Sequence, residues 1–403
     1  MLPLRRQELP PTAGLPLRAR DLLPGPANLA TAIAAWLGTP PLQLECSGTA
    51  CLLIALTTLR EMQPQRRRVV VPAYTCPLVA IAVRQAGLEL HLCDLRAGHY
   101  DMDPEALRAA CNEQTLAIIP THLAGRVADV DDALEVARKV GAYVIEDAAQ
   151  ALGARRDGAS VGLIGDIGFF SLAAGKGLSI YEGGLLLARD PRLRASLAAT
   201  SARIVPHRIG WECRRNIELL GYAALYQPHG LRTAYGNPLR RALHRNDFVV
   251  AVGDDFAPDI PLHQVGRWRR SVGAHAASRL PIFLAQLDAQ ARRRLALLRR
   301  IEGIEVFDDP SGAQGTWPFL LLLLPDQIHR DRALEQLWQS GLGVSRLFIH
   351  ALPDYAYLAD IVPQQAVPHA RDVAARSLSI TNSPWMTDED FELVCQTLEA
   401  AMK

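Results

Sequence analysis

The sequence predicts an α/β protein in which helices cover both faces of a mostly parallel sheet, with a smaller α/β unit at the C-terminus. Its 403 residues, 49% hydrophobic and 21% charged, are enough for a large core and a second domain. From residue 42 to about residue 190, short apolar runs alternate with segments of helical periodicity, as in a parallel sheet wrapped by helices. Residues 316–403 carry strand and helix signals of their own, which predict the compact second unit.

The first forty residues are predicted to form an N-terminal arm and a helix. Prolines are frequent in the first thirty residues, which favours an arm that wraps over the surface. Residues 29–37 then have the spacing of a short amphipathic helix. We therefore expect residues 1–40 to precede the body of the protein.

Residues 41–275 are predicted to form the large domain. Strands are expected at 68–71, 88–92, 116–119, 143–146, 167–170 and 184–187, with helices between them at 50–59, 77–85, 104–111 and 130–140. The stretch 192–267 differs because it is rich in Arg, Tyr and Trp and contains the turn signal Gly236-Asn237-Pro238. We expect an elaborated helical segment there.

Residues 276–403 are predicted to form a linking helix and the small C-terminal domain. The linking helix is long, arginine-rich and expected at 278–300, and strands are expected near 319–324 and 343–347. Prolines bracket the apolar run 319–324, which is far too short to span a membrane.

The composition argues against several classes of function. A formal net charge of +1 gives no reason to expect nucleic acid or an acidic membrane as a partner. Seven scattered cysteines without a CxxC pair are typical of reduced thiols, and they predict neither disulfides nor a metal site. The first residues lack the apolar stretch of a signal peptide, so we expect a cytoplasmic protein.

Lys176 and Asp147 are the most informative pair of residues. Each follows a predicted strand, so both are expected at the carboxyl edge of one sheet, where α/β proteins usually bind ligands. A lysine amine that condenses with an aldehyde has to be desolvated, and a buried carboxylate can keep a pyridine nitrogen protonated. The pair therefore predicts a pyridoxal phosphate site. The alternatives are a buried salt bridge or a solvated surface lysine.

The start of the first helix of the large domain is a candidate phosphate site. Gly48 and Thr49 open this helix, so their backbone N–H groups would face an anion at its N-terminus. An ordinary Ser or Thr N-cap is the alternative. The Ser171 hydroxyl is placed to reach the same phosphate, and Gln150 to bond the hydroxyl side of the cofactor ring.

Several stretches resemble a known family. SGTACLLIAL, VVVPAYTCPLVAIAVRQAG, VIEDAAQALGA and GDIGFFSLAAGKGLSIYEGGLLL are similar to the pyridoxal phosphate-dependent sugar aminotransferases of the DegT/DnrJ/EryC1/StrS family. The resemblance implies aspartate aminotransferase fold type I, with a three-layer αβα large domain. In it, Lys176 matches the lysine that bonds to the cofactor and Asp147 the partner of the pyridine nitrogen. The remaining cofactor positions match Gly48, Thr49, Gln150 and Ser171.

The resemblance also implies a function. An amino group would pass from an amino acid, commonly L-glutamate, to a keto-sugar that is linked to a nucleotide, as in polysaccharide biosynthesis. A homodimer is implied as well, because the second subunit completes the cofactor site in this fold. Two alternatives stay open: an impaired member with a regulatory or scaffolding role, and an enzyme with a non-sugar substrate. Dehydratases of the family carry His in place of the lysine, so Lys176 argues against them.

The sequence departs from the family pattern near the cofactor ring. Cys76 occupies the cofactor-binding position where relatives have an aromatic residue that stacks on the ring, and Ala173 stands where many have His. Tyr74 would share a face with Cys76 in an extended register, so it is a candidate substitute and substrate contact. His122 is predicted either to line the substrate site or to be a packed structural histidine.

Six arginines of the 192–267 segment suggest a role in binding the acceptor. They are interleaved with Trp211, Tyr222, Tyr226 and Tyr235, and they are Arg214, Arg215, Arg232, Arg240, Arg241 and Arg245. Together these residues would form a cover that binds a diphosphate and stacks on a base or sugar. The alternative is a solvated, arginine-rich helical surface.

Overall fold

The N-terminal arm leads into a short capped helix. The structure, a computed structural model, describes residues 6–403, so the start of the predicted arm, residues 1–5, lies outside the described residues. After a 3₁₀ turn at Ala19–Leu22 comes α1 (Leu29–Leu37). Asn28 caps α1 by accepting from the Ala30 N–H group, and Gly38 ends it with a left-handed φ of 70°. The predicted helix is confirmed at both ends.

The large sheet has seven strands, and six of them run in the same direction. The elements are, in chain order, β1 (Gln43–Glu45), α2 (Gly48–Met62), β2 (Arg68–Pro72), α3 (Pro77–Gln85), β3 (Glu89–Cys93), α4 (Pro104–Ala110), β4 (Thr115–Ile118), α5 (Asp131–Val140), β5 (Tyr143–Asp147), β6 (Arg155–Arg156), β7 (Ala159–Ser160), β8 (Ile167–Ser171) and β9 (Gly184–Ala188). The strand order is β1-β9-β8-β5-β4-β2-β3. Only β9 runs against its neighbours, β8 and β1, so the mostly parallel sheet is confirmed.

Alternate residues of the central strands are buried on opposite faces of the sheet. Val69 and Val71 of β2 pack into the core that contains α2 and α3, whereas Val70 packs into the core that contains α4 and α5. Both faces are therefore covered by helices, as predicted from the alternation of apolar runs with helical segments.

The chain is helical after β9. These helices are α6 (Pro191–Ile204), α7 (Ile209–Leu225), α8 (Pro228–Leu231), α9 (Asn237–His244), α10 (Phe248–Val252), α11 (Arg267–Ala277) and α12 (Leu280–Leu298). The helical prediction for 192–267 is confirmed. The predicted helix 278–300 corresponds to α12, which starts with Pro281 in its first turn, a position where proline is favoured.

A small antiparallel sheet and three helices follow. They comprise β10 (Glu305–Val306), β11 (Ala313–Gln314), β12 (Phe319–Leu323), α13 (Gln327–Leu337), β13 (Val344–Ser345), α14 (Pro368–Arg376), β14 (Ser377–Thr381) and α15 (Asp388–Ala401). The sheet has the order β10-β12-β14-β13, while β11 pairs with β6 of the large unit. This is the predicted smaller α/β unit; the exact division at residues 40 and 275 stays a prediction. Among residues 6–403, no helix has the length and apolar character that a membrane crossing requires.

Candidate active site

A cavity of about 580 Å³ lies at the carboxyl ends of β5 and β8. All seven residues that the sequence predicts to bind a cofactor line it: Gly48, Thr49, Cys76, Asp147, Gln150, Ser171 and Lys176. These residues come from four separate parts of the chain. They meet because the parallel strands of the sheet end at one edge.

Asp147 ends β5 as a buried carboxylate. Its backbone is fixed on both sides, because its N–H group donates to Pro120 O and its carbonyl oxygen accepts from the His122 N–H group, both at 2.9 Å. The side-chain Oδ1 accepts from the Ala149 N–H group at 3.0 Å. Burial raises the pKa of Asp147, while the Ala149 bond and the charge of Lys176 act in the opposite direction. A cation placed beside this carboxylate would be held strongly.

Lys176 lies in the loop 172–183 between β8 and β9, which we call the lysine loop. Gly175 takes a φ of 77°, a conformation that favours glycine, and the Lys176 N–H group donates to Ala173 O at 3.2 Å. Burial lowers the pKa of Lys176, against the charges of Cys76 and Asp147, which raise it. The amine is therefore closer to its neutral, nucleophilic form than an exposed lysine.

The N-terminus of α2 faces the same cavity. The Ser47 hydroxyl caps the helix by accepting from the Ala50 N–H group at 3.0 Å, whereas the first-turn N–H groups of Gly48 and Thr49 have no partner within the helix. A Cβ atom on Gly48 would lie 3.1 Å from the Ser171 Cβ atom, so the helix start and the end of β8 are in close contact. Backbone N–H groups and a hydroxyl therefore converge on one anion-sized position.

Cys76 and Gln150 complete the predicted set. Cys76 precedes Pro77 at the start of α3, and burial raises the pKa of its thiol to about 12, which keeps it neutral. The side-chain oxygen of Gln150 accepts from the Ala124 N–H group at 2.8 Å. This bond fixes the orientation of the Gln150 amide at the cavity wall.

The structure corrects the prediction that Tyr74 contacts substrate. Tyr74 is fully buried and does not line the cavity; its hydroxyl lies 3.3 Å from both the backbone oxygen and the backbone nitrogen of Phe348. The prediction assumed an extended register from Tyr74 to Cys76. Instead, the chain bends directly after Pro72, so the two side chains do not share a face.

His122 is a structural residue, so its predicted role in lining the substrate site is also corrected. Its Nδ1 accepts from the Ala128 N–H group at 3.0 Å, which leaves the proton on Nε2 to donate to Glu146 Oε2 at 3.0 Å. Glu146 also accepts from the N–H groups of Gly162, Ile164 and Gly165. Both nitrogens of the fully buried ring are therefore engaged inside the protein, as in the packed alternative.

The arginine cover is not part of this cavity. None of the six arginines lines it, and Tyr235 does so alone among the four interleaved aromatic residues. Arg214 pairs with Glu218, and Arg240 with Glu8. The proposed diphosphate-binding cover is therefore absent from the cavity that residues 6–403 form.

Sequence reasoning missed another contribution of the same segment. The cavity is also lined by residues 252–254, 256–257 and 259–261, which include the acids Asp254 and Asp259. Arg346, which follows β13 in the small unit, also lines it. These residues lie in turns without a local pattern, so only their three-dimensional position identifies them.

The N-terminal arm supports the lysine loop from outside. The Thr12 hydroxyl donates to Gly175 O at 2.6 Å, and the Leu15 N–H group donates to Gly177 O at 3.0 Å. Tyr226, which follows α7 directly, in turn holds the arm, since its hydroxyl accepts from the Gly14 N–H group at 2.8 Å and donates to Thr12 O at 3.0 Å. Arm and inserted helix thus form one support behind Lys176.

Comparison with known proteins places the chain among relatives of one family. The model of the DegT/DnrJ/EryC1/StrS aminotransferase family matches residues 23–208 and 269–399, and it leaves out residues 209–268. The protein MosB of Rhizobium meliloti is 40% identical over 158 residues, which are 39% of this chain and 31% of that protein. The UDP-N-acetyl-3-dehydro-α-D-glucosamine 3-aminotransferase of Acidithiobacillus ferrooxidans is 40% identical over 152 residues, 38% of this chain and 41% of the relative. The chain thus spans less than half of the length of these two relatives.

Solved structures agree with the fold. The crystal structure of DesI in the presence of its TDP-sugar product has a TM-score of 0.74 at 20% identity, covering 100% of this chain and 95% of that one. The structure of 3-amino-5-hydroxybenzoic acid synthase has a TM-score of 0.69 at 22% identity, covering 93% and 89%. The fold is therefore that of fold type I aminotransferases. Because the family model matches most of its length, the chain belongs to the DegT/DnrJ/EryC1/StrS family of pyridoxal phosphate-dependent aminotransferases.

Proposed function

We propose that this protein transfers an amino group from an amino acid, L-glutamate, to the keto group of a sugar that is linked to a nucleotide. The proposal rests on one observation: Lys176, Asp147 and the N-terminus of α2 share a single cavity. This combination supplies an amine, a buried acid and an anion site, which are the three groups that a pyridoxal phosphate enzyme requires.

The residues of the cavity fit pyridoxal phosphate. Asp147 suits the protonated ring nitrogen, Lys176 the aldehyde, and the N–H groups of Gly48 and Thr49 with the Ser171 hydroxyl the phosphate. A Cβ atom on Gly48 would crowd Ser171, so the helix start and the hydroxyl lie close enough to bind one anion. Bound there, pyridoxal phosphate supplies an electron sink that stabilises negative charge at the carbon bearing the amine.

Lys176 moves the proton in this proposal. Because burial lowers its pKa, its amine can take a proton from Cα of the donor and deliver one to the acceptor carbon. Asp147 keeps the ring nitrogen protonated throughout. The volume of about 580 Å³ lies in the range of small-molecule sites, so a substrate fits beside both groups.

A sugar acceptor is supported by the names of relatives. Besides the UDP-linked 3-aminotransferase, a GDP-perosamine synthase of Caulobacter vibrioides is 34% identical over 166 residues. A 3-amino-5-hydroxybenzoate synthase of Amycolatopsis mediterranei, 37% identical over 122 residues, makes a non-sugar ketone the second candidate. We also propose a cytoplasmic homodimer, in which the second subunit completes the site.

The chain offers a direct test of the cofactor bond, because it contains only three lysines: Lys139, Lys176 and Lys403. Purified protein is incubated with pyridoxal phosphate, reduced with borohydride and digested, and the labelled lysine is identified by mass spectrometry. We expect the label on Lys176, no label in Lys176→Ala, and normal labelling in Lys139→Ala, whose exposed side chain pairs with Glu135.

The amino transfer is tested in two halves. L-glutamate should bleach the absorbance of the bound cofactor near the edge of the visible range, and the UDP-linked 3-keto-sugar should restore it. Bound cofactor that no amino acid bleaches would sink the aminotransferase and favour the regulatory alternative. Bleaching by glutamate with recovery only on a non-sugar ketone would replace the acceptor.

A further inference from the structure

Asp254 is a buried acid in the wall of the cavity, and none of the proposed cofactor contacts involves it. It is 3% exposed and follows α10, within the segment 209–268 that the family model leaves out. It lines the same cavity as Lys176 and Asp147. Asp254 is therefore particular to the inserted segment.

One oxygen of this carboxylate is fixed by two donors. Asp254 Oδ2 accepts from the Tyr355 hydroxyl at 2.6 Å and from the Ile349 N–H group at 3.0 Å. Within residues 6–403, Oδ1 makes no comparable hydrogen bond. The carboxylate is thus held rigidly by one oxygen and leaves the other for a ligand.

Arg346 also binds the backbone of Ile349. Its Nη2 donates to Ile349 O and to Ala374 O, both at 2.7 Å. Ile349 therefore anchors the acid through its N–H group and the base through its carbonyl oxygen. The Arg346 Nε atom is buried without a hydrogen-bond partner in the described part of the chain. The cavity wall thus holds an acceptor and a donor at fixed positions.

Asp254 shares the cavity wall with Cys76 and the proposed cofactor residues. The pKa of the Cys76 thiol is raised mainly by burial, and then by the charges of both Asp254 and Asp147, while Lys176 lowers it. Cys76 is therefore within electrostatic reach of Asp254 and of the cofactor pair. Asp254 and Cys76 line the same cavity as Lys176 and Asp147.

The charges of the wall favour a neutral, hydroxylated group. The charged lining residues are four acids and two bases: Asp147, Glu182, Asp254, Asp259, Lys176 and Arg346. Glu182 is paired with Arg215, and the remaining three acids still outnumber the two bases, so a neutral group fits this wall better than further phosphates. A sugar ring fits, because each hydroxyl can donate to a carboxylate and accept from a guanidinium group.

We propose that Asp254, together with Arg346, binds the hydroxyl groups of the acceptor ring, so that the inserted segment selects the acceptor. The sugar ring then lies inside the cavity, and any nucleotide phosphates lie outside it. The inference rests on the proposed amino transfer to a sugar, and it adds Asp254 as the residue that recognises this sugar.

Asp254→Asn is the sharpest test. The two donors on Oδ2 require an acceptor, so the Asn oxygen takes that place and its amide N–H₂ group faces the cavity. The variant thus offers the sugar a donor where the wild type offers an acceptor. We expect KM for the UDP-linked 3-keto-sugar to rise by about 10-fold to 100-fold, the usual range for a hydrogen bond to a charged group, with kcat within about threefold.

The controls separate this role from the chemistry. The rate of bleaching by L-glutamate should stay within about twofold in Asp254→Asn, and the exposed neighbour Asp255 gives the matched variant Asp255→Asn, with normal kinetics. Arg346→Lys, which keeps the charge but loses the fork of donors, should raise KM in the same way if Asp254→Asn does not fold.

Three results would overturn the inference. One is an unchanged KM in Asp254→Asn, or in Arg346→Lys where that variant is the one that folds. The second is a loss of the glutamate step in Asp254→Asn, which would assign Asp254 to cofactor binding. The third is a wild type that reacts with glutamate but does not aminate the keto-sugar, and the acceptor part of the proposed function then fails as well. Failure of the glutamate step in the wild type would instead reject the amino transfer itself.

Discussion

Glu182 and Arg215 form an ion pair that joins the lysine loop to α7. Arg215 also lies 5.8 Å from the centre of the Tyr181 ring, and Tyr181 has a φ of 69°, which is strained for a residue other than glycine. The loop that carries Lys176 is therefore held by α7, a helix of the segment that the family model leaves out.

Arg215→Gln is expected to destabilise the protein and to weaken its binding of the cofactor. The side chains of Arg215 and Glu182 are 13% and 18% exposed, and the change removes the Arg215 pairs with both Glu182 and Glu218, which leaves His263 as the remaining partner of Glu182. The expected loss is about 1–3 kcal/mol in the free energy of unfolding. Arg214→Gln is the matched control; that side chain is 64% exposed, and its pair with Glu218 is worth less than about 0.5 kcal/mol. Equal losses of unfolding free energy for both variants in urea denaturation would contradict a stabilising role of the Arg215–Glu182 ion pair.

Gly48→Ala is expected to weaken pyridoxal phosphate binding by about tenfold or more, equivalent to about 1.4 kcal/mol. The new Cβ atom would lie 3.1 Å from the Ser171 Cβ atom, so the start of α2 has to move away from the position where the phosphate donors converge. Titration of the apoprotein with cofactor measures this directly. Gly210→Ala, where nothing lies within 4 Å of the added atom, should bind normally. Equal affinity of Gly48→Ala and the wild type would argue against this phosphate site.

Tyr226→Phe is expected to detach the N-terminal arm from α7. The change removes the acceptor of the buried Gly14 N–H group, and an unsatisfied buried donor costs about 1–3 kcal/mol. Amide hydrogen exchange should accelerate at Gly14 and Leu15. Tyr143→Phe is the control, because its hydroxyl has only a long, 3.5 Å contact with Gln63. Unchanged exchange in the arm of Tyr226→Phe would show that other contacts hold it.

Local signals explain which elements the sequence could predict. α3 was predictable to the residue because Pro77 favours the first helical turn, and α1 because Asn28 and Gly38 are capping residues. The strand β14 (Ser-Leu-Ser-Ile-Thr), which was not predicted, has only two apolar residues and depends on antiparallel pairing with β12. Such pairing between distant segments leaves little trace in a short apolar run.

The residues of the candidate site likewise include some that the sequence could predict and some that it could not. Asp147 and Lys176 follow strands of the parallel sheet, so their meeting follows from topology alone. Asp254 instead meets Ile349 across 95 positions of the sequence, and it lies in a turn that any polar residue could occupy. Tyr74 failed as a prediction because the register argument did not include the bend after Pro72.

Asp254 also makes a prediction about pH, because burial raises its pKa from 3.8 to about 6, against the opposing bonds from Tyr355 and Ile349. The folded protein then binds this proton more tightly than the unfolded chain. Its stabilising contribution is therefore complete below about pH 3.8 and is lost as the pH rises through about 6. Asp254→Asn cannot titrate, so the free energy of unfolding of the wild type should fall relative to the variant by about 1–1.5 kcal/mol between about pH 5 and pH 7.5. Urea denaturation of both proteins across this range measures the difference, in which the other carboxylates cancel. A difference that stays constant with pH would mean that the Asp254 carboxyl titrates normally and is more solvated than its position in the cavity wall implies.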